Sequence, residues 1–182
     1  ANIMQEIEWQ KGKYPQVRSF WFNDSTINGD IRMLNELSDC LISRQAGIAW
    51  GGQGMIRAEM NKAFLQKLKL SGCDVISYGI ESGSNRILRL MRKRYTADLA
   101  ERVVRETAEA GIRVIFNIIV GFPGETEGDF KETKDFVSRC KKFAEHIELP
   151  VYLLLKGSYI YEHLDEFNIT PLSESDPDWQ AK

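Results

Sequence analysis

Apolar and polar positions along the chain follow two periods in alternation. Short runs rich in β-branched and aromatic residues stand at VRSFWF (17–22), GIAW (47–50), DVISYGI (74–80), RVIFNIIV (113–120) and ELPVYLLL (148–155). Their near-continuous apolar character predicts strands buried on both faces. Between them lie single apolar stripes at helical spacing. The first runs through Ile31, Leu34, Leu37, Leu41 and Ile42, the second through Met60, Phe64, Leu65 and Leu68. Leu99, Val103, Val104 and Ala108 make a third, and Phe130, Val137, Cys140 and Ala144 a fourth. ANIMQEIEWQ at the start has the same period, so the chain opens inside an element and reads as an excised piece.

The punctuation agrees with this order. Gly47, Gly72 and Gly111 each follow a helical stripe where a left-handed residue ends a helix, and Thr96 and Thr126 stand where N-caps belong. Strand and helix repeat at intervals of roughly 30 to 40 residues, the length of a βαβ unit. Between the third and fourth strands the helical piece divides at KRYT into Asn85–Arg92 and Ala97–Ala110. Right-handed βαβ units in succession predict an α/β fold with a parallel sheet, open or curled as in a barrel. Five strands do not close an eight-stranded barrel. SESDPDW, near the C-terminus, reads as a loosely ordered tail.

Composition narrows the class without naming a partner. The 182 residues are 43% hydrophobic and 27% charged, and 24 basic against 26 acidic residues leave a net charge of −2. This balance gives no indication of a nucleic-acid surface. The sequence has neither a membrane-spanning apolar run nor a secretory leader pattern, so a cytoplasmic location is expected. Cys40, Cys73 and Cys140 stand far apart without C-x-x-C spacing, which predicts buried reduced thiols and no metal site. His146 and His163 have no partner at ligand spacing.

In parallel α/β folds ligands bind at the C-terminal ends of the strands. The five ends here carry NDST (23–26), GGQGMIRAE (51–59), ESGS (81–84), GFPGET (121–126) and KGS (156–158). The glycines of the second segment match neither a P-loop nor a dinucleotide fingerprint. Glu81, directly after VISYGI, is the most informative single residue. Facing the mouth, its carboxylate would accept hydrogen bonds from vicinal hydroxyls; alternatively it caps the helix that starts near Ser84. Arg86, Arg89 and Arg92 fall at i, i+3 and i+6 and read as a solvated face opposite Ile87, Leu88, Leu90 and Met91, with Lys93 placed to turn inward.

The stretch from GIESGS through LRLMRK and AGI to GFPGET resembles, in order and spacing, the middle of a radical S-adenosylmethionine enzyme, of the branch with methylthiotransferases and cobalamin-dependent radical enzymes. The similarity runs from about residue 18 to GSYIYEHL. It implies a partial parallel (β/α) barrel with strands two to six present, residues 1–160 forming the barrel part and 161–182 a C-terminal extension. Carried over residue by residue, it implies that Asn117, Ile119, Gly121 and Gly124 form the turn that meets the adenine, with asparagine in place of the family's first glycine. Glu81 takes the ribose hydroxyls, and Lys93, or in competition Arg57, takes the methionine carboxylate, since a guanidinium grips a carboxylate at two points. Asn23 and Asp24 take the place of the segment that holds the methionine amino group.

The resemblance also implies S-adenosylmethionine and a 4Fe-4S cluster as cofactors, and it admits cobalamin in the parent protein. The C-x-x-x-C-x-x-C segment that binds the cluster is absent from these residues and is expected upstream. The implied function is a piece, inactive alone, of an iron-sulfur enzyme that cleaves S-adenosylmethionine to a 5′-deoxyadenosyl radical acting on an unknown substrate. An α/β-barrel enzyme of another class and a noncatalytic nucleotide-binding module are the alternatives. If strand one lies upstream, VRSFWF is an open edge, and the chain is expected to dimerise, aggregate or fold its own N-terminal helix over the gap.

Overall fold

The computed structural model describes residues 2–170. Helix α1 (Asn2–Lys13) leads to strand β1 (Ser19–Phe22), followed by α2 (Ile31–Ser43), β2 (Ala49–Gly54), α3 (Lys62–Leu70) and β3 (Cys73–Glu81). Two helices, α4 (Asn85–Leu90) and α5 (Ala97–Glu109), then precede β4 (Arg113–Ile118). Next come α6 (Glu127–Cys140), β5 (His146–Glu148) and a short α7 (Tyr159–Glu162). The five strands form one sheet in the order β1-β2-β3-β4-β5, and every pairing is parallel. The sheet is open, with β1 and β5 at its edges.

The helices form where stripe and cap coincide. Asp30 accepts from the amides of Arg32 and Met33 at the head of α2, Asn61 from Phe64 at α3, and Thr96 from Leu99 at α5. Thr126 and Asp129 make a reciprocal capping box on α6. The buried stripes Leu34–Leu41, Leu65–Leu68, Ala100–Val104 and Thr133–Phe136 cover one face of the sheet. There Trp50, Ile76, Tyr78, Ile80, Val114, Phe116 and Ile118 are almost wholly enclosed. Each large apolar side chain so enclosed contributes about 1.5–3 kcal/mol. The polar atoms within this layer are satisfied: Trp50 Nε1 donates to Ser71 O at 3.0 Å, and the Tyr78 hydroxyl meets Thr107 Oγ1 at 3.0 Å.

Several expectations need correction. The strands are not buried on both faces. Val75, Ser77, Gly79, Ile115 and Asn117, on the second face, are only partly covered. β2 runs on through Gly51, Gly52 and Gly54 instead of ending before them. Side chains there would collide with the neighbours: a β-carbon on Gly51 would lie 2.5 Å from Val75 Cγ1, and one on Gly52 2.5 Å from Ile27 Cγ2. Of the run 148–155 only Glu148, the last residue of β5, and a bridge between Val120 and Val151 belong to the sheet, and Leu149, Val151, Leu153 and Leu155 are exposed. Cys40 is exposed on α2, while Cys73 and Cys140 are buried thiols as expected. After α2 the left-handed conformation is taken first by Gln45 (φ 47°), two residues ahead of Gly47. The SESDPDW segment lies outside the described residues.

Candidate functional site

At the C-terminal end of β3 the ladder to β4 breaks register between Gly79 and Glu81. Glu81 takes the left-handed conformation, φ 71°, which a side chain bearing a β-carbon adopts only when its surroundings hold it there. Its carbonyl accepts from the Ile119 amide at 2.8 Å, and its carboxylate folds back over Gly79, where a β-carbon would stand 2.7 Å from Glu81 Oε1. Lys93 Nζ donates to that same oxygen at 3.1 Å. The pair is only partly enclosed, with side-chain exposures of 18% for Glu81 and 33% for Lys93. Glu81 is therefore not a helix cap. Ser84 stands at the N-cap of α4, and its hydroxyl donates to Asp129 and accepts no amide of the helix.

The ESGS turn is fastened to α6. Ser82 Oγ and the Gly83 amide both meet Thr133 Oγ1 at 3.1 Å, and the Ser84 amide donates to Ser82 Oγ at 3.0 Å. Ser84 Oγ donates to Asp129 Oδ1 at 2.7 Å. Arg86, Arg89 and Arg92 are exposed as expected, whereas of the residues opposite only Ile87 and Leu88 are buried and Leu90 is exposed; the Arg86 guanidinium also grips both oxygens of Asp129 and donates to the Gly124 carbonyl at 2.6 Å. Arg86 first, then the Thr126 and Ser84 hydroxyls, hold the Asp129 carboxyl well below the usual carboxylate range against the opposing effect of burial. The turn after β3 and the turn after β4 are thereby locked to each other.

After β4 the chain turns through Gly121 (φ 77°) and Gly124 (φ 83°). A β-carbon at Gly121 would meet nothing within 4 Å, so glycine serves the backbone angle and leaves the space over the turn open. Glu125 bends back and accepts the Gly121 amide on Oε2 at 2.9 Å. Two buried oxygens in this region, Glu125 Oε1 and Asn117 Oδ1, have no donor among the described residues.

A cavity of about 300 Å³ opens between these turns, walled by Glu81, Lys93, Ile119, Phe122, Tyr152 and Tyr159. Glu81, Lys93 and Ile119 are thus brought together. Gly121 and Gly124 follow directly in the turn, and Asn117 pairs in register with Gly79. Asn23 and Asp24 stand elsewhere, beside a cavity of about 440 Å³ between α1, β1 and α2. Arg57 spends its guanidinium on the rim, donating to the carbonyls of Asn28 and Gly29 at 3.1 and 2.9 Å and to Glu59. Asn28 ties the same two loops through a reciprocal pair of 2.8 Å bonds with the Met55 backbone.

The far wall lay beyond the sequence reading. Tyr159 stacks on His163 with centroids 4.0 Å apart, carries the Arg92 guanidinium at 3.8 Å, and stands with Phe167 on the cavity. A regular aromatic spacing would have marked this wall, and the sequence has none there. The Asp129 lock, in contrast, was signalled by Thr126-x-x-Asp129, the spacing of a capping box.

The Radical SAM superfamily profile matches residues 53–137, which include both locked turns and the cavity floor. Over these residues the chain is a radical SAM superfamily segment. It is 42% identical over 162 residues to a tRNA-2-methylthio-N(6)-dimethylallyladenosine synthase of Pseudothermotoga lettingae, a match covering 87% of this chain and 30% of that protein. It is 30% identical over 153 residues to the ribosomal protein uS12 methylthiotransferase RimO of Clostridium botulinum, covering 77% of this chain and 33% of RimO. Among solved structures, the radical S-adenosylmethionine methyltransferase TsrM of Kitasatospora setae superposes with a TM-score of 0.73 at 19% identity, over 84% of this chain and 30% of TsrM. The chain thus spans about a third or less of the length of each. None of these matches favours a barrel enzyme of another class.

The radical SAM residues present fit one cofactor of the family and not the other. An open glycine turn, a carboxylate held over Gly79 and two orphaned acceptors suit a nucleoside bearing amino groups. The three cysteines stand on α2, β3 and α6, and no group of three or more metal-ligating side chains occurs among the described residues, so these residues offer no seat for a cluster. No helix among the described residues is long and apolar enough to cross a membrane.

Proposed function

We propose that this chain supplies the S-adenosylmethionine-binding part of a radical SAM enzyme. One observation carries the reading: Glu81, Lys93, Ile119 and Phe122 line a single cavity of about 300 Å³ at the strand ends. Glu81 accepts from the ribose hydroxyls. Lys93, an ammonium with donors left over after its bond to Glu81, turns to the methionine carboxylate. The backbone at Ile119, Gly121 and Gly124 meets the adenine, with Asn117 Oδ1 as an acceptor nearby. Asn23 and Asp24, just past β1 and beside the other cavity, are the candidates for the methionine amino group, and Arg57, which ties the Asn28–Gly29 loop to Glu59, is the competing candidate for the methionine carboxylate. Residues 1–160 form the barrel part. The extension 161–182 contributes Phe167 to the cavity wall through its described portion.

When the cofactor is bound and reduced by a cluster whose ligands lie outside this chain, it supplies a 5′-deoxyadenosyl radical, which acts on a substrate that these residues do not specify. This chain alone is inactive. Cobalamin, present in the TsrM structure, is the further cofactor to look for in the whole protein. A cytoplasmic setting completes the reading, in keeping with relatives that modify tRNA and a ribosomal protein.

The test is an amide-resolved titration of the full chain with S-adenosylhomocysteine. Weak binding near the millimolar range is expected, with shifts at Glu81, Lys93 and Ile119–Gly124, and Glu81→Ala should weaken it about tenfold, the loss of one charge-assisted bond. Shifts confined to other surfaces, or none up to ligand solubility, would overturn the reading.

A further inference from the structure

The loop that carries Lys93 aims a second side chain at the same feature. Tyr95, two residues on, donates its single hydroxyl proton between two carbonyls, those of Gly79 at 3.0 Å and Ile80 at 2.9 Å. These peptide groups lead directly into Glu81, where β3 slips register against β4 and the backbone crosses to positive φ. Nothing in the sequence of Glu81 favours that conformation. It is neither glycine nor asparagine, and such a residue persists in the left-handed region only when neighbouring contacts over-determine it.

We propose that Tyr95 is a positioning residue for Glu81: by tying down the Gly79 and Ile80 carbonyls it holds the bulge that folds the Glu81 carboxylate over Gly79 and toward the cavity. Residues 93–95 then grip Glu81 at both ends, Lys93 at the carboxylate and Tyr95 at the backbone that aims it. The root of the loop is fixed, because the Lys93 amide donates to the Leu88 carbonyl at 2.8 Å and closes α4. The Tyr95 ring packs against the core. Burial, and then the Glu81 charge beside it, push the hydroxyl's pKa up, so it stays a donor throughout the neutral range. The consequence for ligand binding rests on the cofactor reading above; the geometric role does not.

Tyr95→Phe in the full chain separates the two. Without ligand, exchange of the Ile119 amide, which is bonded to the Glu81 carbonyl, should speed up about tenfold while amides in the middle of β2 and β3 keep their rates. A purely structural loss would raise them all together. Glu81→Gly, whose glycine holds positive φ unaided, should shrink the effect of Tyr95→Phe at Ile119, and this comparison remains available if the single variant folds poorly. In the S-adenosylhomocysteine titration, Tyr95→Phe should weaken binding about as much as Glu81→Ala and cost nothing more when added to it. An unchanged Ile119 rate in folded Tyr95→Phe overturns the proposal, and so do additive affinity losses. If the wild-type chain binds no ligand, the cofactor reading fails and the exchange result still decides the role of Tyr95.

Discussion

Gly83→Ala tests whether the lock between the ESGS turn and α6 is as tight as its geometry requires. The added β-carbon would lie 2.5 Å from Phe136 Cβ, 2.8 Å from Thr133 Cα and 3.1 Å from Glu132 O. Carbon atoms rest about 3.5–4.0 Å apart, and none of these three atoms can rotate away, so α6 has to retreat by about 1 Å. The bonds from Gly83 and Ser82 to Thr133 Oγ1, both 3.1 Å, would then stretch beyond hydrogen-bonding range. Two buried hydrogen bonds at about 1 kcal/mol each, with overpacking of about 1–3 kcal/mol, give a loss of about 3–5 kcal/mol. With a urea m-value of about 2 kcal/mol/M, the unfolding midpoint falls by about 1.5–2.5 M. Gly128→Ala is the control within α6. Its β-carbon would stand 3.7 Å from Thr126 Oγ1, ordinary contact, and better helix propensity should raise stability by about 0.5–1 kcal/mol. A Gly83→Ala midpoint equal to the wild type would refute the close-approach argument.

Two further outcomes follow from the same structure. The Asp129 carboxyl has its pKa lowered in the fold, so the stability it contributes is complete above its ordinary value near 3.8 and drains away as pH falls toward the folded value. Urea melts should show the wild type losing stability below about pH 4, while Asp129→Asn starts about 2 kcal/mol lower at pH 7 and declines less steeply in that acid window; parallel profiles would sink the assignment. At the other edge of the sheet, β1 has a strand partner only in β2 among the described residues, and Trp21 is 48% exposed. The chain should therefore self-associate in sedimentation experiments at rising concentration, with amides 19–22 protected in the associated form; a strict monomer whose β1 amides exchange freely would count against this.

The fold was largely legible because it rests on periodicity. The first three helical stripes found their helices, the fourth found α6 but misread its buried face, which is Thr133, Phe136 and Cys140 while Phe130 is exposed, and Thr96 and Thr126 cap α5 and α6 as their positions imply. The failures share a cause: they depend on what a neighbouring element brings within reach. Nothing in GGQG tells of Val75 and Ile27 crowding β2, and the alternating leucines of 149–155 read as a strand although only a bridge at Val151 extends β5. Arg86 is solvated as its helical spacing with Arg89 and Arg92 implies, but its partner Asp129 lies 43 residues away and the spacing gave no sign of it. Glu81 was legible from its place after an apolar run. Its left-handed backbone and the Tyr95 clamp were not, since both arise from pairing between β3 and β4.

The two acids of these turns, Glu81 and Asp129, show how structure separates a scaffold carboxylate from an available one. Asp129 is 5% exposed and fully occupied: Ser84 and Arg86 on one oxygen, Arg86 and the Thr126 hydroxyl and amide on the other. An incoming ligand would have to break a charge-assisted bond for every one it made, so no net attraction remains. Glu81 accepts only the Lys93 bond among the described residues, and it faces a cavity. Its desolvation is incomplete and its second oxygen has no protein donor, so hydroxyl donors gain a bond there without displacing one. The strain at Glu81 points the same way. An unfavourable backbone angle held by a dedicated clamp contributes nothing to the sheet, which would pair better without the bulge, and its one visible effect is to place that free oxygen at the cavity.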